Sequence, residues 1–297
     1  MSRFNVACLQ MALPYGDNRA AISQQIARTM RRFPWVQMVL LPELSSFGSD
    51  KKFAQTLPGE AELGYQELAR QHGIWLIPGS LYEQTKGGIY NTTPVIDPQG
   101  KVVARYRKIY PFKPYENEVL AGDQFVVFDV PGVGRFGVSI CYDMWFPETI
   151  RAMVWQGAEV ILHPTMTGTI DRGRELLIAQ SNAVCNQCYF LDVNNAGDLG
   201  NGRSIFVGPE GEVLHQSGEQ TEIVPLQLDL ERVRSARRGG TLGLGQMLKS
   251  FRDTPLQYPC YNQAQPMSQA LADLGPMRMP ERPTKGADTP ARRPTWH

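Results

Sequence analysis

The feature that most constrains this chain is the way short β-type runs alternate with segments of helical period. Runs at 4–10, 36–41 and 74–81 are separated by helical patterns at 18–33 and 60–72, and the second pattern stops at Gly73, a residue suited to ending a helix. Such alternation is the signature of a layered α/β protein. β-type runs at 89–96, 101–106 and 125–130 follow, the first two joined by the turn Asp97-Pro-Gln-Gly100, and read as consecutive antiparallel pairings. The pattern then gives a buried strand at 135–141, a helix at 147–156 with Pro147 in its first turn, and a strand at 159–163. A helix at 172–186, a strand reaching 194 and a meander through 204–207, 212–215 and 222–228 complete it.

No fixed-period repeat and no long low-complexity linker divides the chain, so a single domain is expected over 1–261. Residues 262–297 change character. Prolines at 266, 276, 280, 283, 290 and 294 with few aliphatic residues disfavour an independent core, and an extension lying across a neighbouring subunit is expected.

Composition narrows the function classes. Lys+Arg 30 against Asp+Glu 29 leaves a net charge of +1, which offers no electrostatic case for nucleic acid or a membrane surface. The apolar runs are far shorter than the ~20 residues that span a bilayer, and the N-terminus runs straight into a strand pattern, so a cytoplasmic location is expected. Five cysteines, an odd count without a secretory signal, argue against a disulfide framework. Cys185-x-x-Cys188 lacks two further ligands at zinc spacing, the four histidines are scattered, and no metal site is expected. Gly132-Val-Gly-Arg-Phe-Gly137 matches a dinucleotide-binding pattern only on paper, because a strand rather than a helix follows it; it reads as a hairpin turn.

Three places are more informative: Leu40-Leu-Pro-Glu43, Tyr106-Arg-Lys108-Ile-Tyr-Pro-Phe112 and Ser139-Ile-Cys141-Tyr-Asp143-Met-Trp-Phe-Pro-Glu148. Each polar residue follows an apolar or β-rich run, and functional side chains of α/β sheets collect beyond the carboxyl ends of strands. Taken singly each has a plain reading: Glu43 near a helix cap, Lys108 a solvated charge, Cys141 a small core residue.

Together with Tyr115-Glu116 and Asn186-Gln-Cys-Tyr-Phe-Leu-Asp-Val-Asn-Asn-Ala-Gly197, these segments resemble the nitrilase superfamily of carbon–nitrogen hydrolases, and most the aliphatic amidase and formamidase branch. The resemblance spans about residues 4–252. It implies a four-layer α-β-β-α sandwich, association into homodimers or higher oligomers, and no cofactor. By motif it makes Cys141 the nucleophile, Glu43 the general base, Lys108 an oxyanion donor and Glu116 the second glutamate of the amidase branch. Two departures bear on the substrate: Tyr142 precedes Asp143 where the branch often has two acidic residues, and the chain is short for an aliphatic amidase.

The chemistry suits these residue types. An amide is a poor electrophile, so a covalent route through a cysteine thioester eases its hydrolysis, and a carboxylate can take the thiol proton as attack proceeds. Lys108 and the Tyr142 backbone N–H are the expected oxyanion donors. Tyr115, Trp145 and the segment Thr165 to Thr167 are pocket candidates through their position near strand ends or motifs. The expected reaction is hydrolysis of a small carboxamide to acid and ammonia. Nitrile hydrolysis and decarbamoylation are alternatives that use the same residues, and an inert interaction module is disfavoured because Glu43, Lys108 and Cys141 are all present.

Overall fold

Alternation along the strands decides the layers. In Arg3–Gln10, Phe4, Val6 and Cys8 enter one buried cluster while Ala7 and Leu9 enter another. Met38 and Leu40 likewise part from Val39, and Val160 and Leu162 part from Ile161. Successive side chains of a strand face opposite ways, so each sheet is apolar on both faces and must be covered on both. The computed structural model, which describes residues 3–261, 267–277 and 279, meets that demand with a four-layer α-β-β-α sandwich.

One sheet runs in the order Glu222–Asp229, Arg3–Gln10, Met38–Leu40, Trp75–Ile77, Gly88–Ile96, Leu81–Thr85, with Val102–Arg107 and Val119–Leu120 also pairing to Gly88–Ile96. The other runs Val213–Gln216, Ile205–Val207, Tyr189–Asn194, Val160–Thr165, Gly134–Val138, Val126–Val130. Their inner faces share the cluster of Phe4, Val6, Met38, Leu40, Phe136, Val138, Val160 and Leu191. Helices Arg19–Arg32 and Glu60–His72 cover the first sheet through Ile22, Ile26, Tyr65 and Ala69. Ile22 and Ile26 lie one turn apart on the buried face, and removing each from water contributes on the order of 2 kcal/mol. Pro147–Trp155 and Arg172–Asn186 cover the second through Ile150, Met153, Leu176 and Ala179.

Most expected elements lie where the pattern put them, including the helix at 172–186 and the hairpin turn at Gly132. Three differ. The run at 125–130 does not continue the antiparallel series; Val126–Val130 crosses to the second sheet and pairs with Gly134–Val138. The run at 74–81 breaks after Ile77, because Gly79 (φ +76°) passes so close to the Pro42 carbonyl that a Cβ would sit 1.8 Å from its oxygen. The run at 135–141 ends at Val138, and Cys141–Trp145 forms a 3₁₀ helix.

Candidate active site

Both sheets deliver polar residues to one cluster of strand ends. Glu43 follows Met38–Leu40, Lys108 follows Val102–Arg107, and Cys141 and Thr167 follow Gly134–Val138 and Val160–Thr165. Thr165 ties the sheets together: its carbonyl accepts from the Glu43 N–H (3.3 Å) and from the Asn195 N–H (3.3 Å). Asn195 Nδ2 donates to the Glu43 carbonyl at 2.6 Å, fixing the backbone under that carboxylate.

Lys108 is buried, and its Nζ lies 2.9 Å from Glu43 Oε1 and 3.0 Å from Glu116 Oε2. Asn91 Nδ2 donates to the same Glu43 oxygen at 2.8 Å. Glu116 Oε2 accepts from the Phe112 N–H at 2.6 Å, so the glutamate orients both the lysine and the loop after it. The Glu43 carboxylate and the Cys141 thiol act on each other electrostatically within the buried cluster. Burial, reinforced by the neighbouring Glu116, raises the Glu43 carboxyl above its ordinary value against the pull of Lys108. For Glu116 burial acts in the same sense, but Lys108 and the Phe112 N–H outweigh it and hold this carboxyl low. Burial works against the Lys108 charge, yet Glu43 and Glu116 keep it firmly protonated. Burial and the Glu43 charge push the Cys141 thiol well up, so the resting sulfur is a thiol with a proton acceptor beside it.

Cys141 has φ +46°, a conformation side chains with a Cβ rarely adopt and one that clusters at functional sites. Asp143 holds it there. Its Oδ2 accepts from the Ile140 N–H (2.9 Å) and the Tyr106 hydroxyl (2.6 Å), and its Oδ1 accepts from the Tyr110 N–H (2.9 Å). The nucleophile turn is thereby pinned to the lysine loop. Burial pushes the Asp143 carboxyl up to about 6 while those three donors pull it down. A histidine base is absent from this arrangement: His163 Nδ1 is taken by Ser139 Oγ at 2.7 Å, and burial drives its pKa down to about 4.

The sequence-derived pocket residues divide. Thr167 Oγ1 lies 3.8 Å from Cys141 Sγ. Thr165 turns its hydroxyl to Asp192 Oδ1 (2.7 Å) and serves as scaffold. Tyr142 packs edge-on against Phe112, and Tyr115, half exposed, stacks on Phe112 at 4.9 Å. Trp145 is placed elsewhere: it lines an apolar groove of about 860 Å³ on the outer helical layer, with Pro147, Arg151, Trp155, Phe251 and Tyr258. Nearness in sequence suggested it, but the three-residue period of the 3₁₀ turn sets Trp145 beside Tyr142, with the rings tilted and 6.3 Å apart, rather than beside Cys141. Asn91, Arg172 and Glu175 went unnoticed in the sequence. An asparagine inside a strand and an i,i+3 charge pair in a helix carry no signal of burial.

Among the described residues no group of His, Cys, Asp and Glu is arranged to hold a metal ion. No described helix is long and apolar enough to cross a membrane.

Residues 5–238 match the family model described as carbon–nitrogen hydrolase. The chain is similar to the omega-amidase NIT2 of Homo sapiens, with 34% identity over 221 residues that cover 68% of this chain and 80% of that protein. It is also similar to the 2-oxoglutaramate amidase of Bacillus subtilis, at 28% identity over 79% of this chain and 94% of the relative. Among solved structures, Nit3 of Saccharomyces cerevisiae, a member of branch 10 of the nitrilase superfamily, superposes with a TM-score of 0.73 at 28% identity, covering 80% of this chain and 94% of that one. With the match running through every strand-end residue of the cluster, this chain belongs to the carbon–nitrogen hydrolase family and is a hydrolase of carbon–nitrogen bonds other than peptide bonds.

Proposed function

We propose that this enzyme hydrolyses a small aliphatic or ω-carboxamide to its carboxylic acid and ammonia, with Cys141 as nucleophile, Glu43 as general acid and base, Lys108 as oxyanion donor and Glu116 as the residue that aims Lys108. The observation that carries the reading is the buried lysine bridging two carboxylates at 2.9 and 3.0 Å, one of which acts on the Cys141 thiol through its charge. Relatives named omega-amidase, 2-oxoglutaramate amidase and formamidase support a small amide as substrate.

Cys141 Sγ attacks the amide carbon while its proton passes to Glu43. The carbonyl oxygen becomes an oxyanion and takes hydrogen bonds from Lys108 Nζ and the Tyr142 backbone N–H. Glu43 then gives the proton to the amide nitrogen, the carbon–nitrogen bond breaks, ammonia departs and a thioester remains. Water attacks the thioester as Glu43 removes a proton from it, and collapse of the second tetrahedral species expels the acid and restores the thiol with that proton. Ammonia release across short amides, ω-amides, carbamoyl amines and nitriles tests the substrate. Fastest turnover of nitriles or carbamoyl amines would overturn the carboxamide reading.

A cytoplasmic setting is part of the proposal, supported by five unpaired cysteines, which a reducing compartment preserves. So is a homo-oligomer in which the C-terminal extension lies on a neighbouring copy. Leu271, Leu274 and Met277 of that extension are all more than half exposed, as an arm without its own core would leave them. Met279 is likewise more than half exposed, and residues 262–266, 278 and 280–297 of the expected arm lie outside the described residues. Truncation after Tyr261 should reduce the oligomer mass in light scattering, and an unchanged mass with an unchanged melting temperature would remove the arm from the account.

A further inference from the structure

The helix Arg172–Asn186 brings a second buried chain of polar groups to the sulfur. Thr167 Oγ1 lies 3.8 Å from Cys141 Sγ and donates to Glu175 Oε1 at 3.1 Å. Glu175 Oε2 accepts from Arg172 Nη1 at 3.0 Å, and the same nitrogen lies 2.8 Å from Asp192 Oδ2. Arg172 Nη2 donates to the Arg203 carbonyl at 2.8 Å. Thr167 is held from its backbone as well, with its N–H on Asn194 Oδ1 (2.8 Å) and its carbonyl accepting from Asn194 Nδ2 (2.9 Å). Thr167, Arg172, Glu175 and Asp192 are all buried, so none of these bonds competes with bulk water.

A hydroxyl has one proton to donate. With that proton committed to Glu175, the Thr167 oxygen faces the sulfur as an acceptor, and the thiol is the donor of the pair. The single thiol proton therefore has an acceptor on each side, the Glu43 carboxylate that receives it during attack and a hydroxyl whose direction is set from the helix layer. We infer that Thr167 and Glu175, locked by Arg172 and Asp192, form a positioning relay that fixes the Cys141 rotamer. Neither residue touches the amide; both act through the cysteine. The inference rests on Cys141 being the nucleophile.

The charged groups facing the sulfur are Glu43, Lys108 and Glu175, with Arg172 and Asp192 behind Glu175. The Glu175 charge raises the thiol pKa, after burial and the larger effect of Glu43. Removing that charge must lower it.

The test uses the full-length enzyme and three variants, with steady-state kinetics and the pH dependence of Cys141 alkylation by iodoacetamide. Thr167→Val, which removes only the hydroxyl at nearly constant volume, should lower kcat by about 10- to 100-fold, the scale of a misaimed reacting group, with a smaller change in KM. Thr167→Ser, which keeps the hydroxyl, should restore most of the rate. Glu175→Gln should move the alkylation midpoint to lower pH. Wild-type kcat and an unmoved alkylation profile in Thr167→Val would overturn the relay, and so would a Thr167→Ser enzyme as slow as the valine variant. If Glu175→Gln does not fold, the Val and Ser pair decides alone. Failure of the underlying reading looks different: Cys141→Ala would remain active.

Discussion

Lys108 and Arg172 are each fully buried and each lies between two carboxylates, Glu43 and Glu116 for the lysine, Glu175 and Asp192 for the arginine. Both remain cations despite burial, because the carboxylates around them outweigh the loss of water. The two clusters differ in what they leave over. An ammonium has three protons, and Glu43 and Glu116 take two, so one donor remains for an oxygen arriving at Cys141. The arginine fork spends Nη1 on carboxylates and Nη2 on a carbonyl, which fastens a helix to a strand, and leaves over only a buried Nε without a partner among the described residues. The carboxylates differ in the same sense: Glu43 stands beside the thiol with a raised pKa, ready to accept and return a proton, whereas Asp192 accepts from Thr165 and holds scaffold. Placement of the same charge types thus separates a reacting cluster from a supporting one.

The division breaks at once if the thiol is dispensable. Cys141→Ala should lower turnover by at least about 10,000-fold, the scale seen when a covalent nucleophile is removed, while thermal melts stay close to wild type. A fast alanine variant would dissolve the distinction between the clusters.

Swapping the cations sharpens it. Lys108→Met should lower kcat by at least about 100-fold through loss of an oxyanion donor. Arg172→Met strands two buried carboxylates, and chemical denaturation should show a loss of about 3–5 kcal/mol. If Arg172→Met unfolds no more readily than the wild type, the arginine cluster is not the scaffold described here.

Glu43→Gln should also lower kcat by about 100-fold, and its pH profile tests the assignment of the base. The carboxyl pKa is raised above its ordinary 4.5, so the ionised base is lost as pH falls through that raised value, before free glutamate would protonate. The wild-type rate should decline on the acid side with that midpoint, and the decline should vanish in the glutamine variant. A limb that persists unchanged would assign it to another group.

How much of this was legible in the sequence differs between the same two clusters. Glu43, Lys108 and Cys141 stand after β-type runs, but each alone has a plain reading; their grouping, and the part of Glu116, were legible only through the resemblance of their motifs to the nitrilase superfamily. Arg172 and Glu175 could not be read this way, because a charge pair three residues apart on a helix is ordinarily solvated, and only the packing of that helix on the second sheet buries it. Asp143 was visible inside a motif, yet its triple acceptor role depends on Tyr106 and Tyr110 from another strand end. The crossing of Val126–Val130 to the second sheet was hidden because alternation fixes which side chains face the core and says nothing of which sheet a strand joins.

The smallest expected effects fall on the residues that aim the reacting cluster. Glu116→Gln keeps the shape but weakens the hold on Lys108, and Asp143→Asn puts an amide N–H₂ against one of the backbone N–H groups the carboxylate now accepts. Each should lower kcat by about tenfold, and Asp143→Asn should also melt earlier because a buried donor loses its acceptor. Wild-type rates in both would mean that the loops need no aiming.

The central claim is that the acyl group resides on Cys141 during turnover. Acid-quenching the enzyme within its first turnovers on a small amide, followed by proteolysis and mass measurement, tests it directly. The account predicts that the peptide containing Cys141 gains the mass of the acyl group less one hydrogen, that the peptides of Cys8, Cys185, Cys188 and Cys260 do not, and that no adduct forms in Glu43→Gln at matched times. An acyl adduct on another cysteine, or steady ammonia release from an enzyme whose Cys141 has been blocked by alkylation, would contradict it.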